Sequence, residues 1–130
     1  LDIAPSINLH TSILPKYRGA SPIQQTIINN DFEAGVTAMK MELGLDSGDI
    51  LAISRTLISK DCDVIQLYDK LTIMASELII DVLKNYNNLN PLPQQRVDSS
   101  YCKKISKSDG LISFENEDSN SIYRKYLAFK

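Results

Sequence analysis

Cysteine, histidine and long apolar runs are all scarce in this chain of 130 residues, and each scarcity excludes a class of function. The two cysteines, Cys62 and Cys102, stand apart from each other and from the only histidine, His10. Neither belongs to a CxxC or Cys/His pair, so no zinc site and no other metal site is signalled. Two reduced thiols in a cytoplasmic protein are the expectation. No apolar stretch approaches the ~20 residues of a membrane span, so no membrane partner is expected. No signal-peptide pattern is visible. The net charge of −2 argues against a uniformly basic nucleic-acid surface. From Pro91 onward there are seven Lys/Arg against five Asp/Glu, an excess too small to mark a polyanion site. Glycine patterns of the GxGxxG or GxxxxGK type are absent, which removes those routes to nucleotide binding. No internal repeat and no low-complexity segment interrupts the chain.

What remains is an ordinary soluble composition, 43% apolar and 23% charged, long enough for one domain or for one and a piece of another. The chain opens on Leu1 rather than Met and closes on Tyr126-Leu127-Ala128-Phe129-Lys130, which reads as the middle of an element. A segment of a longer protein is therefore expected.

Ile3 to Leu9 reads as a short strand interrupted by Pro5, and a loop from Thr11 to Ala20 follows. Ser21-Pro22 combines an N-cap residue with a proline at the first helical position. The helix it opens ends at Asn29-Asn30-Asp31. Gly35 to Met41 alternates like a strand, and Asp49 to Ser54 reads as another, with the glycine-rich loop between them suggesting a hairpin. Asp63 and Gln66 form a capping-box signature. From there Ile65, Tyr68, Leu71, Met74/Ala75, Leu78/Ile79, Val82 and Tyr86 recur at helical spacing, a stripe expected to pack on a sheet. Pro91 to Lys107 reads as a linker, Leu111 to Phe114 as a short strand, and a last helix is capped by Ser119 or Asn120.

Chemistry concentrates in two places. If Ile7 to His10 is a strand, Asn8 and His10 share a face. One face then carries an amide donor beside a group able to exchange protons near neutral pH. Asn8 is suited to donate to an oxyanion. The Pro15/Gly19 loop beside it suits close approach of a ligand. Without its neighbours, a histidine near a strand end would be a hydrogen-bonded structural residue. The second place is Gly44-Leu45-Asp46-Ser47-Gly48-Asp49. Asp46 or Asp49 could serve there as the partner carboxylate, or simply as a turn residue, and spacing does not choose between these readings. Arg18 reads first as a solvated loop charge, with an anion clamp as the alternative.

The run Asn8-x-His10-x-Ser12-Ile13-Leu14-Pro15-x-Tyr17-Arg18-Gly19-Ala20-x-Pro22-Ile23 resembles the signature of the folate-dependent formyltransferases. A second block from Gly35 to Met41 and on through Gly44 to Ile50 has the matching order and separation. Weaker similarity continues through Pro93-Gln94-Gln95, Lys104 to Gly110 and Ile122-Tyr123-Arg124. Within the group the pattern looks most like the methionyl-tRNA formyltransferases, because purine and sugar-nucleotide relatives usually carry a histidine where this chain has Met39. Ile13 and Leu127 depart from the usual Leu and Arg.

The resemblance implies the second half of a doubly wound, Rossmann-like α/β domain in residues 1–90. It further implies a linker in 91–107 and the first elements of a C-terminal β-barrel domain in 108–130. It implies formyl transfer from 10-formyltetrahydrofolate to the α-amine of methionyl-tRNA, with Asn8, His10 and Asp46 catalytic, and Ser12, Ile13, Leu14 and Pro15 holding the folate. The strand bearing Asn8 and His10 is expected to be parallel to its neighbours, the last helix to be frayed for want of a barrel, and the full-length protein to be a monomer. Two alternatives stay open: transfer to another amine such as a sugar nucleotide, and a non-catalytic folate-binding module.

Overall fold

Three strands carry the scaffold: β1 (Ile7–His10), β3 (Glu33–Lys40) and β4 (Ile50–Leu57). They form a sheet of order β1-β3-β4 in a computed structural model that describes residues 5–130. Ile3, where the sequence suggests a strand start, lies outside those residues. The expected β3/β4 hairpin forms, antiparallel from Glu33↔Leu57 to Met39↔Ile50, with an irregularity between Ala38 and Met39.

The pairing of β1 differs from expectation. It runs antiparallel to β3, with Asn8 opposite Met39 and His10 opposite Thr37. A parallel crossover must carry the chain back to the start of the first strand. The connection here does not, because it is folded at the end where β1 leaves the sheet. Thr37 of β3 holds it there, its Oγ1 accepting from the Leu14 amide at 3.1 Å and donating to the Ser12 carbonyl at 2.7 Å. Helix α1 (Pro22–Ile28) has seven residues and adds only ~10 Å of reach.

β3 is the central strand and is buried on both faces. Ala34, Val36 and Ala38 enter the main core with Ile23, Ile27 and Leu51, while Thr37 and Met39 are buried on the other face. Helix α2 (Val64–Asn85) covers the core face. Its start follows from the sequence: the Asp63 carboxylate accepts from the Gln66 amide at 2.9 Å and the Gln66 side chain accepts from the Asp63 amide at 3.1 Å. The buried stripe is Leu67, Leu71, Leu78 and Val82, each worth ~1.5–3 kcal/mol of burial. Ile65 and Tyr68, expected in that stripe, face outward.

The segment from Pro91 to Lys107 makes specific contacts. Leu92 exchanges two backbone hydrogen bonds with Ile50, at 2.8 and 2.9 Å. A two-residue strand β5 (Tyr101–Cys102) pairs in parallel with β2 (Arg18–Gly19). This docking changes the cap of α1: the Ser21 hydroxyl donates to the Lys103 carbonyl at 2.6 Å instead of capping the helix. Leu111 to Phe114 forms no strand. The last helix, α3 (Ser119–Ala128), is capped by Asp118, whose side chain accepts from the Ser121 amide. Contrary to the expected fraying, α3 lies on α1, and Leu127 and Ala128 enter the same core as Ile23 and Ile27. The energetic reason is the burial of Leu127 and Ala128, which lie beside the α1 residues Ile23 and Ile27 in one core. Among the described residues, no helix is long and apolar enough to cross a membrane.

Candidate active site

The alternation of β1 divides its side chains. Ile7 and Leu9 turn to the core, so Asn8 and His10 face the opposite side, beside Met39 and Thr37 of the neighbouring strand. His10 is buried and Asn8 half-buried. The His10 ring is flanked on both nitrogens. Nε2 lies 2.8 Å from the Tyr17 carbonyl, and Nδ1 lies 3.6 Å from Asp46 Oδ2. A carbonyl only accepts, so Nε2 carries a proton and the lone pair of the neutral ring sits on Nδ1, facing the carboxylate.

Of the two acidic candidates in the glycine-flanked loop, Asp46 is the one brought to His10. Asp49 instead closes the loop through its backbone, its carbonyl accepting from the Lys40 amide at 2.9 Å. The same Oδ2 of Asp46 accepts from the Gly19 amide at 2.8 Å. The carboxylate is thus fixed by a donor from the loop that follows His10.

Tyr17 holds this loop at several points, a role that sequence reasoning did not assign. Its carbonyl accepts from His10 and from the Cys102 thiol, and its amide donates to Ser100 Oγ at 2.9 Å. Its phenol donates to Asp31 at 2.7 Å and accepts from the Asn29 amide at 2.8 Å. Burial pushes the phenol up to about 12; the Asn29 amide opposes this and Asp31 adds to it. Tyr17 and Asp46 both have positive φ, at 57° and 46°. Such backbone costs ~1–3 kcal/mol per residue and persists where surrounding bonds over-determine it. Tyr17 and Asp46 both touch His10, one through its carbonyl and one through its carboxylate, whereas Asn30, also at positive φ, lies just past the end of α1.

The four residues expected to hold a folate are placed unequally. Ser12 and Ile13 line a cavity of about 270 Å³ together with Lys16, Tyr17, Asp31 and Arg55. Leu14 is buried under Thr37, and Pro15 follows a cis peptide with its carbonyl accepting from the Ser100 amide. Neither lines that cavity. Arg18 is not a solvated loop charge. It is 3% exposed, and its guanidinium donates to Gln94 Oε1 and to the Tyr101 hydroxyl. Gln94 itself was legible only as part of the Pro93-Gln94-Gln95 similarity. No group of three or more His, Cys, Asp or Glu side chains suited to a metal ion occurs among the described residues.

An amide, an imidazole and a carboxylate on one side of a sheet suit acyl transfer: a donor for an oxyanion, a proton acceptor and its orienting charge. The family model described as formyl transferase matches residues 3–83. A methionyl-tRNA formyltransferase from Nitratiruptor sp. is 52% identical over 129 residues, which is 99% of this chain and 42% of that protein. One from Helicobacter pylori strain J99 is 47% identical over 130 residues, again 42% of that protein. The chain therefore spans about two-fifths of the length of these curated relatives.

Among solved structures, a sugar 3N-formyl transferase crystallised with dTDP and 5-N-formyl-THF superposes with a TM-score of 0.84 at 26% identity. The match covers 95% of this chain and 46% of that one. An N-formyltransferase from Helicobacter canadensis, in complex with folinic acid and dTDP-3-aminofucose, superposes at 0.83 and 25% identity with the same coverage. The antiparallel sheet with its covering helices is thus part of a formyltransferase fold, and the chain belongs to the formyl transferase family.

Proposed function

We propose that this chain carries the reaction centre of a methionyl-tRNA formyltransferase, which moves the formyl group of 10-formyltetrahydrofolate to the α-amine of methionyl-tRNA. The observation that carries the proposal is the His10–Asp46 pair, set on the strand that also bears Asn8, in a chain about half identical to methionyl-tRNA formyltransferases along its whole length. On this reading residues 1–90 complete a catalytic domain, 91–107 lead out of it, and 108–130 begin a C-terminal β-barrel domain. Ser12, Ile13, Leu14 and Pro15 then shape the folate side of the site, Leu14 and Pro15 through backbone rather than exposed side chains. The whole protein works as a cytoplasmic monomer without a metal.

The geometry suggests how roles divide. The amine attacks the formyl carbon, and a tetrahedral oxyanion forms. Asn8 donates to that oxygen, an effect worth ~3–4 kcal/mol for a well-placed donor. The Nε2 proton of His10 is engaged by the Tyr17 carbonyl, so Nδ1, on the Asp46 side, is the nitrogen left to take up the proton that the attacking amine loses. Asp46, facing Nδ1, holds the imidazolium that results, and the charged ring adds to stabilisation of the oxyanion. Collapse breaks the bond from the formyl carbon to the folate nitrogen, which gains a proton as the amine loses one.

The test is kinetic, in a protein of the relatives' length that carries this segment. His10→Ala and Asn8→Ala lower kcat far more than they raise KM for the folate, since both act in the transition state. Changes in KM alone would make them binding residues and defeat the catalytic assignment. A second reading, transfer to the amine of a dTDP-linked sugar, is favoured by the two solved neighbours. Met39 is the buried cross-strand neighbour of Asn8, at the position where sugar-nucleotide relatives usually carry histidine. Turnover with methionyl-tRNA and none with a dTDP-amino sugar separates the two.

A further inference from the structure

We propose that Gln94 is a positioning residue for Asp46, locking the Gly44–Asp49 loop to the Arg18 loop so that the carboxylate stays on His10. The proposal rests on the formyl-transfer reading above. A glutamine side chain has two acceptor sites and two donor protons, and here all four are used. Oε1 accepts from Arg18 Nε at 3.0 Å and from Nη2 at 2.7 Å. Nε2 donates to the Asp46 carbonyl at 2.9 Å and to the Gly48 carbonyl at 2.7 Å. The amide orientation is fixed by its partners, because guanidinium hydrogens need an oxygen and carbonyls need N–H.

These bonds close a ring. Gln94 holds the Asp46 backbone and Arg18; Gly19, next to Arg18, holds the Asp46 carboxylate through its amide. Both ends of Asp46 are thereby set against one loop, which its left-handed backbone requires. The loop has little else to fix its tip, since Leu43 and Leu45 are exposed. Gln94 in turn is anchored two residues away by the Leu92–Ile50 bridge. Arg18 is anchored by the Tyr101 hydroxyl at 3.2 Å and by stacking 5.8 Å from the ring centroid.

Gln94→Glu separates the two halves of this device. The carboxylate keeps the acceptor for Arg18 and adds an opposite charge, but turns a lone pair toward two carbonyls. In a protein of the relatives' length, Q94E therefore keeps its melting temperature near the parent value. Its kcat falls ~10- to 100-fold, the scale of a misplaced catalytic group, while KM for methionyl-tRNA stays within about threefold. The Gly19 amide, read by hydrogen exchange, loses protection as the Asp46 carboxylate leaves it. Val82→Ala, a cut in the core under α2, lowers the melting temperature and leaves kcat unchanged. Should Q94E not fold, Gln94→Met, of similar length and uncharged, carries the same kinetic and exchange readouts.

A Q94E or Q94M protein with unaltered kcat, with a loss confined to KM, or with full protection at Gly19 overturns the proposal. So does a kcat loss in Val82→Ala matching that of the Gln94 variant. A parent protein without transfer to methionyl-tRNA refutes the function instead, and the Gly19 exchange still reports on the lock.

Discussion

Gly19→Ala tests the coupling between fold and site most directly. Gly19 has φ of +113°, and a Cβ built there would overlap the carbonyl oxygen of Cys102, its partner across the β2/β5 pair. That oxygen belongs to backbone and cannot swing aside. It also accepts from the Ala20 amide at 3.1 Å, so moving it loosens the pair that holds β5. Three penalties meet: a non-glycine residue in a left-handed conformation, ~1–3 kcal/mol; a strained backbone hydrogen bond, ~0.5–1.5 kcal/mol; and displacement of the Gly19 amide from the charged Asp46, ~1.5–3 kcal/mol. They share one local shift and do not simply add. A destabilisation of about 3 kcal/mol is the expected outcome.

Urea unfolding followed by far-ultraviolet circular dichroism measures it. With a slope of about 1–3 kcal/mol/M for a domain of this size, the midpoint moves down by about 1–3 M. An unchanged midpoint would mean that β5 gives way freely and that the contact between the two loops is not tight. The structural account of Asp46 would then fail with it, since the Gly19 amide is what fixes that carboxylate.

Other perturbations probe separate parts. The Tyr17 phenol, held near 12 against about 10 in an unfolded chain, binds its proton more tightly when folded. Its contribution is therefore complete below pH 10 and lost as pH climbs toward 12. Unfolding at pH 9 and 11.5 shows a steeper loss for the parent than for Tyr17→Phe, and equal slopes refute the assignment. Leu71→Asp buries an unpaired charge at a position 1% exposed, and a loss of about 4 kcal/mol or more in chemical denaturation is expected; a normal midpoint would refute its core position. Leu127→Ala removes a side chain that α3 sets in the core, with a cost of ~2–5 kcal/mol. An unaltered midpoint there would restore the expectation of a frayed last helix.

What the sequence makes legible is what neighbours in the chain decide. The start of α2 needs only Asp63 and Gln66, three residues apart, and both bonds of the capping box form. The β3/β4 hairpin needs only two apolar runs and a glycine-rich loop. The stripe of α2 is shifted by about one residue at its start, with Val64 and Leu67 inward in place of Ile65 and Tyr68, because apolar residues on both sides of that turn leave the phase open. Features set by distant partners are not legible. Ser21 looks like a cap and spends its hydroxyl on Lys103, 82 residues away. Leu111 to Phe114 has the composition of a strand and pairs with none among the described residues.

The site divides along the same line. Asn8 and His10 are two apart on one strand, so their shared face follows from alternation alone. The choice of Asp46 over Asp49 does not, since it depends on the Gly19 amide and on Gln94, which reaches the loop from 48 residues beyond Asp46. The fate of Arg18 hangs on that same side chain, and a charge that reads as solvated is instead buried. A motif can name the groups that do chemistry, because their identity is set by the reaction. It cannot name the groups that hold them, because their identity is set by whatever the chain brings past. Here the segment from Leu92 to Cys102 supplies the hold: one backbone bridge to β4, one strand pair to β2, and one amide that satisfies four partners at once. The polarity that makes this segment read as a linker is the same property that lets it bind backbone and guanidinium groups beside His10.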